Sequence, residues 1–157
     1  MKKVLMIAGG IIFVLIVVTI VMSVNDKIYP ISMGMHDEMN LEEGLALNGN
    51  DPVAYFTEKS AVKGDAQFTH TWNNAEWHFT SDSTKNMFAA NPEKYAPQFG
   101  GYCAFAVSKG FTADSDPATF HIEDNKLYIF HAEDVKQEFL SAKEENKKLA
   151  HSNWDEQ

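Results

Sequence analysis

The sequence predicts a small α+β domain of two β-hairpins and two or three helices, preceded by an N-terminal transmembrane helix. Three observations predict this architecture. Two segments alternate apolar and polar residues around short turns, two others carry helix start and stop signals, and the first 24 residues contain no charge beyond two lysines. A chain of 157 residues is long enough for one domain and an appendage.

The first hairpin is predicted over residues 67–81. Its loop is Asn73-Asn74, because asparagine tolerates the positive φ that a two-residue turn requires. That loop fixes which side chains face one another across the strands. The expected pairs on the aromatic face are Trp72 with Ala75, His70 with Trp77, and Phe68 with Phe79. The other face is polar, as in a sheet that packs on one side only.

A second hairpin is predicted over residues 120–130, around Asp124-Asn125. A two-residue loop places His121 opposite Tyr128 and His131 opposite Ala118.

Helices are predicted over residues 82–90 and 133–149. Ser81 is a good N-cap for the first helix, and Asn91-Pro92 ends it. The second has an apolar stripe and a highly charged far end. The stripe consists of Val135, Phe139, Ala142 and Leu149.

The N-terminal segment favours an uncleaved signal anchor. Residues 4–24 form an uncharged run of 21 residues, about the length that crosses a bilayer, with no convincing small-x-small cleavage site. Lys2 and Lys3 should stay cytoplasmic, which places the rest of the chain on the extracytoplasmic, periplasmic side as a single-pass membrane protein. We expect a tether over 25–43 and a folded domain over 44–154.

The composition excludes several classes of function. Residues 25–157 hold 11 lysines, 22 carboxylates and no arginine, a formal charge of −11. Nucleic acid binding requires a basic surface, so we expect no such partner. The single cysteine cannot form an intrachain disulfide, and the domain must be held by its aromatic core.

Residues 91–108 combine two prolines, a glycine pair, several aromatic residues and Cys103. The mixture predicts a shaped turn with special backbone angles at Gly100 and Gly101. Cys103 has no neighbouring cation to activate a thiolate. A small buried apolar side chain is the favoured interpretation, ahead of a soft-metal ligand and of a catalytic nucleophile.

The histidines offer a candidate metal site. His121 and His131 would face each other if the second loop were longer, and Cys103 could then supply a third ligand. His78, on the polar face of the first hairpin, is a further candidate. Strand histidines without a metal are the simpler alternative.

A second candidate lies in the tether. Met33, Met35, His36 and Met39 combine thioethers with an imidazole, a set that suits Cu(I). The same residues could instead pack against the domain or the membrane surface.

Several motifs together resemble the YHS domain family over residues 44–154. They are Asn50-Asp51-Pro52-Val53-Ala54-Tyr55-Phe56, Trp72-Asn73, Trp77-His78-Phe79, Asn91-Pro92-Glu93-Lys94-Tyr95, Gly100-Gly101-Tyr102-Cys103-Ala104 and Lys126-Leu127-Tyr128. The resemblance implies a fold related to treble-clef-like metal-binding domains, the TRASH group. In such relatives three cysteines stand where this chain has Ala54, Thr80 and Thr84. A thiolate zinc site is therefore not implied here.

The expected function is that of a membrane-anchored YHS-type binding module without enzymatic activity. It would handle a soft metal such as copper, or another small ligand. The alternative is a structural or protein-interaction module with no ligand. A thiol-dependent enzyme is less favoured, because a single thiol without a general base lacks the groups that thiol catalysis requires. The sequence names no protein partner.

Overall fold

The structure, a computed structural model, describes residues 28–155, which form a small mixed α+β domain. Among these residues no helix has both the length and the apolar character needed to cross a membrane. The predicted membrane helix over 4–24 lies outside the described residues. Its membrane insertion and orientation therefore stay predictions.

Eight strands and six α-helices make up the described part of the chain. The strands are β1 (Tyr29–Pro30), β2 (Leu41–Glu42), β3 (Leu45–Ala46), β4 (Asp65–Trp72), β5 (Ala75–Phe79), β6 (Phe111–Thr112), β7 (Asp116–Glu123) and β8 (Lys126–Phe130). The helices are α1 (Ala54–Thr57), α2 (Asp82–Ala90), α3 (Pro92–Tyr95), α4 (Ala104–Ser108), α5 (Glu133–Ser141) and α6 (Lys143–Asp155). Three short 3₁₀ helices span Ile31–Met33, Leu47–Gly49 and Gln98–Gly101.

The strands form three small sheets. A four-stranded sheet has the order β2-β3-β5-β4, in which β3 and β5 run parallel and the other pairs are antiparallel. The strands β7 and β8 form an antiparallel hairpin. The strands β1 and β6 pair Tyr29 with Thr112 and Pro30 with Phe111. They attach the start of the described chain to a distant segment.

The first hairpin is confirmed near its turn. Trp72 pairs with Ala75 and His70 with Trp77, as the Asn73-Asn74 loop predicts. The predicted pairing of Phe68 with Phe79 is wrong, because the register shifts between Asp65 and Thr69 and Phe79 pairs with Asp65. Extra residues in β4 form a bulge, which a sequence pattern of strict alternation does not reveal.

The second hairpin behaves in the same way. His121 pairs with Tyr128 across the Asp124-Asn125 turn, as predicted. The predicted pairing of His131 with Ala118 is wrong, since a register shift makes Asp116 the partner of Phe130 and the strand ends there. The bulge in β7 again lies in the half of the strand remote from the turn.

The first predicted helix is confirmed with its cap, whereas the second is divided in two. The Oγ of Ser81 accepts a hydrogen bond of 3.2 Å from the backbone N–H of Thr84 and begins α2. The helix predicted over 133–149 is instead two helices, α5 and α6, separated by the non-helical Ala142. The side-chain amide of Asn146 donates to the carbonyl of Phe139, which satisfies one terminal carbonyl of α5.

Two hydrophobic clusters hold the domain. The first lies under the four-stranded sheet and includes Trp77, Phe79 and Phe88. The second lies between β8 and the C-terminal helices and includes Cys103, Tyr128 and Phe139. Of the predicted stripe on the last helices, Phe139 is buried, whereas Leu149 is 40% exposed and Ala150 takes its place in the core.

Residues 28–43 contact the domain at several points. The backbone N–H of Ile31 donates to Gly110, and that of Asn40 donates to Gly100, both at 2.9 Å. Ile31 and Met39 are buried. The described part of the predicted tether therefore contributes both hydrogen bonds and buried side chains to the packed structure.

Candidate functional site

Cys103 lies in the second hydrophobic cluster and only 1% of it is exposed. Its backbone N–H donates to the carbonyl of Ala113, and the residue bridges to Ile129 of β8. A cysteine nucleophile must be reached by its substrate. In this structure the thiol of Cys103 instead acts as a small apolar side chain.

The candidate histidines His78, His121 and His131 have different surroundings. His78 is buried and its Nε2 lies 2.8 Å from the carboxylate of Glu76. His131 is exposed, and its Nδ1 contacts the carbonyl of Asp114 at 3.2 Å. Burial lowers the pKa of His121, with Glu123 opposing that shift. Within residues 28–155, no three side chains of the types His, Cys, Asp and Glu form a group that could hold a metal.

The methionine-histidine segment forms part of a cavity. Met35, His36 and Met39 all line a space of about 270 Å³, and Tyr29, Tyr102 and Asp114 line it from more distant parts of the chain. Met35 is 59% exposed and Met39 only 6% exposed, so the lining includes one exposed and one buried methionine. Met33 is 64% exposed and does not line this cavity. The structure thus brings together three of the four soft-ligand residues predicted in this segment.

The hydrogen bonds around His36 determine where its lone pair lies. Its Nδ1 is 3.0 Å from the carbonyl oxygen of Asp37, which also accepts from the hydroxyl of Tyr102. A carbonyl oxygen only accepts, so in the neutral ring Nδ1 carries the hydrogen and Nε2 keeps the lone pair. That Nε2 is buried and has no hydrogen-bond partner within the described residues. A backbone carbonyl on one ring nitrogen and a free lone pair on the other is the arrangement of a metal-ligating histidine.

Aromatic rings fix the orientation of this imidazole. The ring of Trp154, near the end of α6, stacks on His36 with centroids 5.4 Å apart. Tyr102 approaches the same ring edge-on at 6.1 Å. Desolvation by burial raises the pKa of Tyr102 to about 12, helped by the charges of Asp37 and Asp114. The tyrosine is therefore neutral and acts as a hydrogen-bond donor.

The 3₁₀ turn Gln98–Gly101, called the glycine-aromatic turn below, lies next to this cavity. Phe99 and Gly100 have left-handed backbones, with φ of +56° and +60°. The carbonyl of Gly100 accepts from Asn40, and a Cβ added to Gly100 would lie 2.1 Å from the carbonyl oxygen of Glu38. The turn and the methionine-histidine segment are therefore in direct backbone contact, which only glycine permits at this position.

A larger cleft of about 560 Å³ opens on the other side of Met39. Its lining joins the glycine-aromatic turn to the first hairpin and to the end of α6. The aromatic residues among its lining are Trp72, Phe99 and Trp154, and the carboxylates are Glu38, Glu93 and Asp155. In the described part of the chain, no lysine lines this cleft.

A third cluster, which is polar, contains Asp51 and the three positions that the resemblance pairs with cysteines, Ala54, Thr80 and Thr84. The carboxylate of Asp51 is completely buried and accepts hydrogen bonds from the N–H and the hydroxyl of Thr80, at 2.8 and 2.9 Å. The hydroxyl oxygens of Thr80 and Thr84 are 3.4 Å apart. Ala54 is also buried, and its N–H donates to the carbonyl of Asp51. These residues therefore form a buried to half-buried polar network.

Comparison with known proteins returned no matching family model, no matching curated protein and no matching solved structure. The fold and the cavities therefore define only a structural class of protein. It is a small α+β domain with two adjoining concave sites on one turn.

Sequence reasoning identified the methionines and His36 but missed the residues that enclose them. Asp37, Tyr102 and Trp154 come from three distant parts of the chain. No local pattern connects them, since their proximity depends on the pairing of β1 with β6 and on the position of α6. The same holds for Glu38 and Asp155 in the larger cleft.

Proposed function

We propose that the chain is a membrane-anchored, extracytoplasmic binding module of YHS type that holds a soft metal ion, Cu(I), through Met35, His36 and Met39. The observation that carries the metal proposal is the buried Nε2 of His36, which has a lone pair and no protein partner within the described residues. Two thioethers line the same cavity. Thioether and imidazole ligands together select Cu(I) over harder metal ions.

The YHS-type part of the proposal is supported by the third cluster. Asp51 accepts hydrogen bonds from both Ala54 and Thr80. The hydroxyl oxygens of Thr80 and Thr84 lie 3.4 Å apart, so the cluster connects all three positions. Two thiolates on one tetrahedral zinc ion with Zn–S of about 2.3 Å lie about 3.8 Å apart. The separation of the two threonine oxygens is close to that distance.

Membrane anchoring is supported by the apolar run over 4–24 and by the lysines before it. An anchored domain on the extracytoplasmic side would bind a soft metal ion there and would not need to catalyse a reaction. The buried Cys103 supports a binding role without catalysis, because it offers no accessible nucleophile.

The test is an anaerobic titration of the full-length chain with Cu(I), in competition with a chromophoric Cu(I) chelator. We expect one ion per chain. Loss of an outer-shell partner alone weakens metal binding by roughly 10–100-fold, so Met35→Leu and His36→Asn should each weaken it at least that much. Met33→Leu is the matched control, since Met33 is exposed and does not line the cavity.

Cys103→Ser completes the design. It should leave Cu(I) affinity unchanged, because the thiol lies in the core. Equal effects of the Met33 and Met35 substitutions, or loss of binding only in the Cys103 variant, would refute the assignment of ligands.

A further inference from the structure

The larger cleft has the character of a cation site. Trp72, Phe99 and Trp154 contribute aromatic rings to its lining, and Glu38, Glu93 and Asp155 contribute three negative charges. Among residues 28–155, no lysine lines the cleft to neutralise them. Its volume of about 560 Å³ lies within the range of sites that hold small molecules.

His151, the one basic side chain that the described residues contribute to the lining, does not change this charge balance. Burial lowers the pKa of His151, helped by the charge of Lys126 and opposed by Asp155. Its ring also packs on Phe99, with centroids 5.0 Å apart. His151 is therefore neutral at neutral pH, and the cleft keeps its negative charge.

We infer that this cleft binds a small organic cation with an alkylated ammonium head, such as choline. Aromatic faces attract such a cation through their negative quadrupole, and alkylation lowers the cost of removing the ammonium from water. The carboxylates add a field that attracts cations and repels anions. This ligand is separate from the metal ion of the proposed function, because Met39 alone is shared by the lining of both cavities.

Two sources could present the same ammonium chemistry, a free solute and the head group of a phospholipid. A head group carries a phosphate next to the ammonium. The three carboxylates of the cleft would repel that phosphate. The charges therefore favour the free cation.

The test is a calorimetric titration of the full-length chain, in a neutral sugar detergent, with three compounds. They are choline, its neutral carbon analogue in which a quaternary carbon replaces the nitrogen, and phosphocholine. We expect choline to bind more tightly than both. Equal affinity for choline and the neutral analogue, tighter binding of phosphocholine, or no choline binding would each overturn the inference.

Two substitutions locate the site. Trp72→Leu should weaken choline binding roughly 3- to 30-fold, the range of a lost cation–π contact, and Trp72→Phe should weaken it less. Glu93→Lys should weaken it further than the matched control Glu58→Lys, because Glu58 is equally exposed but does not line the cleft. Equal effects of the two glutamate substitutions would also contradict the inference.

The same variants separate this inference from the metal proposal. Trp72 and Glu93 do not line the cavity around His36. Their substitution should leave the Cu(I) titration unchanged, which also shows that the variants are folded. Loss of choline binding with intact Cu(I) binding, in these variants only, is the expected pattern.

Discussion

Gly100 shows how one residue positions both cavities. It has a left-handed backbone, and a Cβ there would meet the carbonyl oxygen of Glu38 at 2.1 Å. Glu38 lines the larger cleft, and the next residue, Met39, lines both. The close approach of two backbones at Gly100 therefore fixes the wall that the two sites share.

Substitution of Gly100 by alanine should be much more damaging than substitution of Gly34. Both glycines have nearly the same φ, +60° and +57°, so an alanine pays the same left-handed cost of about 1–2 kcal/mol at each. Nothing lies within 4 Å of a Cβ at Gly34, whereas the backbone must move at Gly100. We expect Gly100→Ala to lower the free energy of unfolding by about 3 kcal/mol or more.

Equilibrium unfolding of the two variants in urea measures this difference. The Gly34→Ala variant is the control for backbone strain without a clash. A similar loss of stability in both would show that the contact with Glu38 is not tight in solution. The Gly100 variant should also bind Cu(I) more weakly, because Met39 moves with Glu38.

At the scale of elements, the turns were predictable and the strand ends were not. Asparagine and aspartate in the two-residue loops specify the turn geometry, so the pairings next to them, such as that of His121 with Tyr128, follow from the sequence. Each bulge lies at the remote end of the first strand of its hairpin. A bulge depends on what the strand packs against, and alternation of residues does not encode it.

The candidate sites show the same division. The Met35, His36 and Met39 set was visible because these residues are neighbours in sequence. Trp154 was invisible, because its contact with His36 depends on the break between α5 and α6. The helical pattern over 133–149 was continuous in sequence and does not reveal the break at Ala142, next to which the side chain of Asn146 donates to the carbonyl of Phe139.

The junction of α1, β5 and α2 offers a direct test of the resemblance to the YHS family. Introducing Ala54→Cys, Thr80→Cys and Thr84→Cys together should create a thiolate site, because Thr80 and Thr84 already place their oxygens 3.4 Å apart. Addition of Co²⁺ should produce intense sulfur-to-cobalt charge-transfer absorption.

The matched control places the third cysteine one residue away. Ser83→Cys replaces Thr84→Cys in the triple variant, and Ser83 is an exposed residue on the same helix. We expect weak or absent charge-transfer absorption from this control. Equal absorption from the two triple variants would mean that the three positions do not define a site, and the resemblance would lose its structural support.

The free energy of unfolding of the whole molecule depends on pH, because several groups have a different pKa in the folded and the unfolded chain. Burial lowers the pKa of His121 and His151 below the ordinary value of 6.5. Hydrogen bonds from Lys143 and Lys147 lower the pKa of Glu123 to about 2, and a hydrogen bond from Lys136 lowers that of Glu133. The histidines and the glutamates therefore affect stability in two separate pH ranges.

The sign in each window follows from which state binds the proton. Between pH 7 and the lowered pKa of the two histidines, the unfolded chain takes up protons that the folded chain does not, so stability falls as the pH falls. Below about pH 4.5, the unfolded carboxyls take up protons while Glu123 and Glu133 stay ionised in the fold, and stability falls again.

The prediction is a two-step loss of the free energy of unfolding, measured by urea denaturation from pH 8 to pH 3. The double variant His121→Gln with His151→Gln should flatten the upper step and leave the lower step in place, because glutamine does not titrate. Glu123→Gln should instead reduce the lower step and leave the upper one. If the double variant leaves the upper step unchanged, the pKa values of the two histidines are not lowered in the folded state, which would contradict their burial and the neutral state inferred for His151.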